Sequence, residues 1–381
     1  MKIEQQKCRL EEIVEHTKIS GSYCKQTMID KYKNVCVYGL GKLFNDTFED
    51  RNLKQLFHVN YLSDIDKNKW GKTFYGIECI NPEELKDIED LIVILLIGYA
   101  EDVRKQFEEW NIPYILGYEL LLEMSLGETV SQQEFEKNTI IETYDLMMDE
   151  KSKENYVEIL ANRLAPELRY KDYKEIFTPT DYFNQEIFKI SNQEKFVDCG
   201  AFDGDTIRSL IEVAGDFEAV YSFEIDDTNY KNLTDWVNSL SEDIRKKIKC
   251  FHCGVWNKKD ILQYGNEEKS NTESFSILKS NNMHQVIVNK LDDILEDKEI
   301  TFIKMDIEGS ELKALEGAEQ IIKEQKPKLA ICLYHQIEDF WKIPRYLKML
   351  VPEYQFGIRH HYQYGFYGTV LYAYCCDYKQ K

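Results

Sequence analysis

The sequence has no long apolar run, and it has too few basic residues to balance its acidic ones. Its longest apolar run, Leu91–Ala100, is far shorter than the roughly 20 residues that a membrane-spanning helix needs, and acidic residues flank it. We therefore interpret this run as a buried strand. The chain has 48 Lys and Arg against 68 Asp and Glu, a formal charge of −20. Such a charge repels phosphate backbones and anionic lipids, so we expect neither nucleic-acid nor membrane binding.

A secretory signal and a complete zinc motif are also missing from the sequence. Residues 1–7 lack a basic segment followed by an apolar stretch, so we expect a cytoplasmic protein. The ten cysteines lie mostly singly within apolar segments, as free thiols do in a reducing compartment. Cys250 and Cys253 have the spacing of one zinc ligand pair, but a second pair is missing. We therefore assign no residue to a metal.

The length of 381 residues exceeds what one core usually organises, and it predicts two domains with a helical connector. Hydrophobic residues make up 43% of the chain, which excludes wholesale disorder. The predicted parts are an N-terminal Rossmann-like α/β domain at 1–118, a helical connector at 119–189 and a second α/β domain at 190–381.

The N-terminal domain is predicted to contain a small parallel sheet, because short apolar runs alternate with helical patterns. The predicted strands are 33–39, 56–62, 74–80 and 91–97, and the predicted helices are 82–88 and 102–110. The first strand ends at Gly39-Leu40-Gly41, a glycine turn before a helix.

The C-terminal domain shows seven further strand-like runs. They are 195–200, 219–223, 248–255, 300–305, 328–333, 354–359 and 369–374. Helical patterns separate all but the last pair, and a parallel crossover needs about a dozen residues. The sheet is therefore predicted to end in an antiparallel hairpin.

The strongest functional signal is the segment from Phe196 to Thr206, an apolar strand that turns through Gly200 and Gly204 into a helix. Glycines let a backbone approach a ligand closely, and ligands of open α/β sheets bind at the carboxyl ends of the strands. The loop is acidic and has no lysine or arginine, which suits a cationic ligand better than a pyrophosphate. Glu224 ends the next strand, where an acid can accept the hydroxyls of a ribose. Adenosine and positive charge together indicate S-adenosylmethionine.

Two more predicted strands end in ionisable residues. Asp306 follows one strand, and Glu308 and Glu311 begin the next helix, where capping of the helix dipole is an alternative role for Glu311. His335 follows the neighbouring strand. Residues in these positions are expected at the same sheet edge as the glycine loop.

Taken together, these motifs resemble the FkbM-type family of S-adenosylmethionine-dependent methyltransferases. The resemblance is carried by Val197–Thr206, Ile303–Glu311, Asp181-Tyr182-Phe183, Leu315–Ala318 and Tyr334-His335-Gln336. It implies the seven-stranded class I methyltransferase sheet with an antiparallel last strand. It also implies O-methylation of a sugar or another small hydroxylated metabolite. Phe202 departs from the wider methyltransferase pattern, which has a glycine at this place.

On this basis we assign the site residues as follows. The cofactor-binding residues are Asp198, Gly200, Ala201, Asp203, Gly204, Asp205, Thr206, Glu224 and Val255. The catalytic candidates are His335, Asp306 and Glu308. An imidazole could take the proton of the reacting hydroxyl, while Asp306 or Glu308 orients the acceptor or serves as the base. A divalent metal held by Asp306, Glu308 and another acid is a variant of this mechanism.

The N-terminal domain leaves several functions open. Gly39 and Gly41 begin a dinucleotide fingerprint, Phe44 stands where the third glycine would be, and Asp64 ends the next strand. The segment resembles the small Rossmann-like domains of sugar-modifying enzymes. A nucleotide-sugar docking or structural domain is favoured over an NAD site. The rival functions for the chain are an NAD-dependent sugar-modifying oxidoreductase and a non-catalytic binding protein.

Overall fold

The computed structural model divides the chain into two compact units. It describes residues 3–20, 28–97, 101–117, 120–121, 137–165, 168, 170–265, 283–295, 299–363 and 365–375. The N-terminal unit comprises residues 14–135 and 164–166, and the C-terminal unit comprises 1–13, 136–163 and 167–381. Within the described parts, no helix is long and apolar enough to span a membrane.

This division differs from the predicted boundaries at two places. The first 13 residues group with the C-terminal unit, and so does most of the predicted connector. Residues 122–136 of that connector lie outside the described residues.

The N-terminal unit alternates strands and helices, as the apolar runs indicate. Its elements, with the helix shared between the units first, are α1 (Ile3–Ser20), β1 (Asn34–Tyr38), α2 (Lys42–Thr47), α3 (Leu53–Leu56), β2 (Tyr61–Ser63), β3 (Thr73–Phe74), β4 (Ile77–Ile80), β5 (Leu91–Leu95), α4 (Glu101–Glu109) and β6 (Tyr114–Leu116). Short 3₁₀ helices occupy Lys67–Lys69 and Pro82–Asp87.

The six strands form one sheet in the order β3-β4-β2-β1-β5-β6. All neighbours are parallel except β3 and β4, which form a hairpin within the run predicted as a single strand. β1 is apolar on both faces: Val37 packs in one core with Phe44, and Tyr38 packs in another with Phe107. The predicted parallel sheet is confirmed. The predicted strand 56–62 is wrong for most of its length, because Leu53–Leu56 is helical and only the end of the run pairs.

The C-terminal unit contains helices on a larger sheet. Its elements are α5 (Lys137–Asp145), α6 (Glu150–Leu164), β7 (Lys195–Cys199), α7 (Asp205–Ala214), β8 (Ala219–Phe223), α8 (Asp227–Ser239), α9 (Glu242–Arg245), β9 (Ile248–Phe251), β10 (Gly254–Val255), β11 (Asp260–Gly265), β12 (Met283–Asn289), α10 (Leu291–Ile294), β13 (Phe302–Met305), α11 (Glu311–Glu316), α12 (Glu319–Gln325), β14 (Lys328–Cys332), α13 (Asp339–Leu350), β15 (Gln355–His360) and β16 (Thr369–Tyr374).

The main sheet has seven strands in the order β15-β16-β14-β13-β7-β8-β9. Strand β16 lies antiparallel between β14 and β15, and the remaining neighbours are parallel. The predicted seven-stranded sheet and its closing antiparallel hairpin are both confirmed. β7, β8, β13 and β14 end at one edge, which brings their following loops together.

A second, three-stranded sheet of β10, β12 and β11 was not predicted. The predicted strand 248–255 divides in two, with β9 in the main sheet and β10 in the small one. Val255 is buried in this small sheet, opposite Asn289.

Candidate active site

The loop after β7 packs directly against the end of β13. Gly200 and Gly204 have φ of +84° and +92°, a region that favours glycine. A Cβ atom at Gly200 would lie 1.9 Å from the backbone oxygen of Asp306. Only glycine fits here, and the contact fixes the loop next to Asp306.

Phe202 takes the glycine-like conformation although it is not glycine. Its φ is +47°, within the left-handed region. Its backbone N–H donates to Glu224 Oε2 at 2.8 Å, which ties the loop to the end of β8. The departure from the methyltransferase pattern is therefore accommodated by the backbone.

Asp198 is fully buried, and its carboxylate lies next to Lys304 in the interior. Lys304 Nζ lies 3.1 Å from Asp198 Oδ1 and donates to the Gly200 carbonyl at 2.6 Å. Burial raises the pKa of Asp198 to about 6, although Lys304 opposes the shift. Burial lowers the pKa of Lys304, but Asp198 and Asp306 raise it by more. The buried pair thus supports the backbone of the glycine turn.

The other predicted cofactor residues surround the turn. Asp203 Oδ1 accepts from Arg208 at 2.8 Å, and Asp205 Oδ1 accepts the N–H of Thr206 at 2.7 Å. Asp205 is exposed, whereas Ala201 and Thr206 are buried. The acidic loop is therefore partly neutralised by Arg208 of the following helix, α7.

Glu224 is buried at the end of β8. Besides Phe202, the backbone N–H groups of Ile225 and Asp226 both donate to its Oε1 at 2.8 Å. Burial raises the pKa of Glu224, and these three N–H groups oppose the shift. A carboxylate offers about four lone-pair positions, so it retains capacity for a further hydrogen bond.

Asp306 stands at the end of β13 and is held by two tyrosines. Tyr182 donates to Oδ2 at 2.8 Å, and Tyr334 donates to Oδ1 at 2.6 Å. Its side chain remains 22% exposed. Asp306 is therefore fixed in orientation and still accessible.

His335 lies beneath Asp306 and is surrounded by carboxylates. Its Nε2 is 3.5 Å from Asp306 Oδ1 and 3.3 Å from Glu308 Oε2, and its Nδ1 is 2.9 Å from Glu311 Oε1. The His335 side chain is 7% exposed and that of Glu311 is fully buried, whereas that of Glu308 is 28% exposed. The structure thus brings the three predicted catalytic residues together, with Asp306 and Glu308 towards solvent.

The carboxylates decide the charge of His335. Burial by itself lowers the pKa of His335, but Glu311, Glu308 and Asp306 raise it to about 10. Burial raises the pKa of Glu308 to about 8. Burial also opposes ionisation of Asp306, yet Lys304, His335 and the two tyrosines hold its pKa below the usual range. In this arrangement His335 carries a proton at neutral pH, so Asp306 fits the proton-accepting role better than His335.

Three contributors were not among the predicted site residues. Tyr182 and Tyr334 lie in motifs that carry the family resemblance. The sequence does not indicate, however, that both hydroxyl groups donate hydrogen bonds to Asp306. Lys304 did carry a signal, because it is a lysine inside an otherwise apolar strand.

In the N-terminal unit, Asp64 is already engaged by the protein. Its Oδ2 accepts from the Leu40 N–H at 2.6 Å and from Lys69 Nζ at 2.8 Å, and its Oδ1 accepts from the Asp66 N–H at 2.8 Å. Phe44 is fully buried in the core. Asp64, the acid of the partial dinucleotide fingerprint, therefore binds the backbone of the glycine turn rather than remaining open to a ligand.

Comparisons with known proteins agree with this geometry. Residues 198–364 match the family model of the methyltransferase FkbM domain. The fold is similar to that of the methyltransferase FkbM from Methylobacillus flagellatus KT, with 24% sequence identity, a TM-score of 0.70, and coverage of 97% of this chain and 99% of that chain. No curated protein sequence matches this chain.

Two further solved structures match less well. The fibrillarin of Aeropyrum pernix, solved with natively bound S-adenosyl-L-methionine, has 10% identity and a TM-score of 0.31 and covers 49% of this chain and 69% of that chain. An rRNA methylase from Streptococcus thermophilus has 15% identity and a TM-score of 0.31, with 49% and 88% covered. The family assignment depends on the match to the domain model and on the motifs at the sheet edge. The segment 198–364 belongs to the methyltransferase FkbM domain family.

Proposed function

We propose that the protein transfers a methyl group from S-adenosylmethionine to a hydroxyl of a small, sugar-linked metabolite. The observation that carries this proposal is the contact between the glycine loop and Asp306. Gly200 lies against the backbone of Asp306, and two tyrosines hold the Asp306 carboxylate at the same edge. A cofactor loop and an oriented acceptor-binding acid are therefore adjacent.

The residues around the loop fit a cationic nucleoside cofactor. Lys304 and Arg208, the basic groups bonded to the loop, each pair with an aspartate, so they present little free positive charge to a sulfonium. Glu224 lies at the end of β8 with hydrogen-bonding capacity for ribose hydroxyls. These features support S-adenosylmethionine over a dinucleotide with its pyrophosphate.

When bound, S-adenosylmethionine supplies an electrophilic methyl group for in-line displacement. Much of the rate of such a reaction comes from holding the acceptor oxygen in line. Asp306 would orient the acceptor hydroxyl and take its proton, because the carboxylate is partly exposed and its lowered pKa keeps it ionised. Tyr182 and Tyr334 keep the carboxylate in place by donating one hydrogen bond to each oxygen.

The acceptor class follows from the polarity of this edge. Asp306 and Glu308 both reach solvent with carboxylates that accept hydrogen bonds from hydroxyl groups. The formal charge of −20 disfavours polyanionic acceptors such as nucleic acids. A small polyhydroxylated molecule satisfies both conditions.

Titration calorimetry and product mass test the proposal. We expect the full-length protein to bind S-adenosylmethionine and to add one methyl group to a member of a panel of sugars and sugar-linked metabolites. Asp306→Asn should keep the cofactor affinity and lose about 10²–10⁴ in turnover, the usual effect of removing a positioned acid or base. The exposed Asp235→Asn serves as the control and should change neither quantity.

One result would contradict the proposed activity, and another would contradict the role of Asp306. One is the absence of saturable S-adenosylmethionine binding by the folded protein. The other is full turnover of Asp306→Asn, which would remove Asp306 from the chemistry and leave Glu308 as the acid at this edge.

A further inference from the structure

We propose that Asp306, Glu311 and His335 form a binding site for one divalent cation of the Mg²⁺ or Mn²⁺ class. One ligand atom from each of the three residues lies within 4.8 Å of the others. Two ligands that are each about 2.1 Å from one ion are at most about 4.2 Å apart, so closure by roughly half an ångström completes the set.

The three ligands come from different elements that the fold fixes. Asp306 follows β13, Glu311 begins α11 and His335 follows β14, the strand next to β13. The main-chain N–H of Ile307 donates to Glu311 Oε1 at 2.9 Å, which orients this carboxylate. Asp306 is oriented by its two tyrosines. Such supporting hydrogen bonds hold metal ligands in place before the ion arrives.

Several buried polar atoms in this cluster make no hydrogen bond of acceptable geometry with any described residue. Among the residues that the structure describes, neither ring nitrogen of His335 makes a hydrogen bond of acceptable geometry, although Glu311 lies 2.9 Å away. Glu311 Oε2 has no hydrogen-bond partner in the same set of residues. The side chains of His335 and Glu311 are 7% and 0% exposed, so water compensates them poorly. Buried polar atoms without well-formed hydrogen bonds are costly, and a bound cation would satisfy them.

The charges around the site also favour a cation. Asp306, Glu308 and Glu311 all lie within 3.5 Å of the one imidazole. Lys304, the nearest lysine on β13, is already bonded to Asp198 and to the Gly200 carbonyl. The proton on His335 offsets one of these groups, and a divalent ion that displaced this proton from one ring nitrogen would neutralise Asp306 and Glu311 in its place.

The ligand set selects the class of ion. Carboxylate oxygens suit hard cations, and imidazole extends the set to first-row transition ions such as Mn²⁺. A three-ligand site leaves coordination positions for water or for oxygen atoms of a substrate. A role of the ion in binding the acceptor's hydroxyl groups rests on the proposed function, whereas the cation site itself does not.

Manganese titration of the full-length protein, followed by electron paramagnetic resonance, tests the site. We expect saturable binding of one Mn²⁺ per chain in metal-free buffer. Glu311→Gln and His335→Gln should weaken this binding by at least tenfold to a hundredfold, since even residues that only support metal ligands contribute that much. Glu316→Gln, on the same helix but paired with Lys313 and Asn257, is the matched control and should bind as the wild type does.

Circular dichroism establishes whether each variant is folded. If the buried Glu311→Gln variant does not fold, Asp306→Asn replaces it, because this partly exposed side chain can lose its charge with less disturbance. The inference is overturned if the wild type shows no saturable Mn²⁺ binding, or if folded ligand variants bind as the control does.

The two proposals fail in different ways. Methyl transfer that continues at the full rate in a chelator would overturn the metal's part in catalysis and leave the proposed function standing. Saturable Mn²⁺ binding without S-adenosylmethionine binding would overturn the proposed function and leave the cation site standing.

Discussion

At the scale of single residues, the site depends on groups that neutralise one another. Lys304 pairs with Asp198 in the interior and donates to the carbonyl of Gly200. Breaking a buried ion pair by removing one partner commonly costs about 3–5 kcal/mol, because the other charge is left uncompensated. Asp198 is therefore better explained as a support of the loop than as a direct cofactor ligand.

Glu224 carries the sharpest residue-scale prediction. Hydrogen bonds to charged groups contribute about 1.5–3 kcal/mol, so Glu224→Ala should weaken S-adenosylmethionine binding by roughly tenfold to a hundredfold. Titration calorimetry measures this directly. Glu218→Ala, an exposed acid just before the same strand, provides the control and should leave the affinity unchanged.

Because Glu224 also accepts three backbone N–H groups, its loss affects the loop as well as the ligand. Glu224→Gln keeps part of this support, since its one amide oxygen can still accept from Ile225 and Asp226 while its NH₂ group cannot accept from Phe202. Unchanged affinity in a folded Glu224→Ala protein would show that this acid does not bind the ribose.

At the scale of helices and strands, the sequence predicts the main sheet well and the small sheet poorly. The buried strand β14 is apolar after its first residue, and β7 is apolar except for Lys195 and Asp198, which makes both strands recognisable. Strands β11 and β12 mix polar and apolar residues and include the exposed pair Ile261 and Ile287. Their pairing depends on cross-strand partners, which a local pattern does not contain.

The same distinction applies to the site. That Asp306 and His335 share an edge follows from the order of strands, and it was predicted. That His335 lies under Asp306 with Glu311 on its other ring nitrogen depends on side-chain packing between two loops. The sequence predicts His335 as a base because it does not reveal the three surrounding carboxylates that keep this side chain protonated.

The hairpin of β15 and β16 should make the C-terminal unit acid-sensitive. His361 Nδ1 lies 2.7 Å from the Thr178 carbonyl, so this nitrogen donates, and Nε2, 2.7 Å from the Tyr372 hydroxyl, accepts. This arrangement requires a neutral ring, and burial lowers the pKa of His361 to about 4. Burial likewise lowers the pKa of the adjacent His360 to about 3.

The sign of the effect follows from linkage. Above about pH 6.5 both rings are neutral in the folded and unfolded states, and stability is fully present. As the pH falls from 6.5 towards 4, His360 and His361 bind protons in the unfolded chain but not in the folded hairpin, so the free energy of unfolding decreases. The loss for His361 should approach at most about 3 kcal/mol near pH 4.

Urea denaturation at pH 7.5, 5.5 and 4.5, together with nuclear magnetic resonance titration of the imidazole signals, measures this dependence. His361→Asn keeps a donor near the position of Nδ1 but does not titrate, so it should show a smaller decrease in stability with acid. An imidazole signal of His361 that titrates near 6.5 in the folded protein would contradict the prediction.

At the scale of the whole molecule, the ends of the units do not follow the predicted boundaries. Arg9 in α1 donates to Glu158 in α6 at 2.9 Å between Nη2 and Oε2, and both side chains are buried. Removal of residues 1–118 as a predicted domain would therefore leave the buried Glu158 carboxylate without the arginine that balances its charge. A variant that tests the C-terminal unit alone must retain the first 13 residues.

The last prediction concerns the N-terminal unit, which we expect not to bind NAD. A dinucleotide site needs an acid free to accept ribose hydroxyls and a glycine where the helix packs close to the strand. Asp64 is instead bonded to Leu40, Asp66 and Lys69, and the fully buried Phe44 takes the glycine's place. Titration calorimetry of the full-length protein should show no saturable binding of NAD⁺ or NADH under conditions where S-adenosylmethionine binds.

Lys69→Ala sharpens this experiment, because it frees part of the Asp64 carboxylate, although it also removes the bond from Lys69 Nζ to the Leu40 carbonyl in the glycine turn. If occupancy of Asp64 were the only obstacle, this variant would gain NAD affinity; we expect that it does not, since Phe44 still fills the helix–strand contact. Saturable NAD binding by the wild type that Asp64→Ala abolishes, together with NAD reduction in the presence of a sugar, would instead establish the oxidoreductase function and displace methyl transfer as the chain's main reaction.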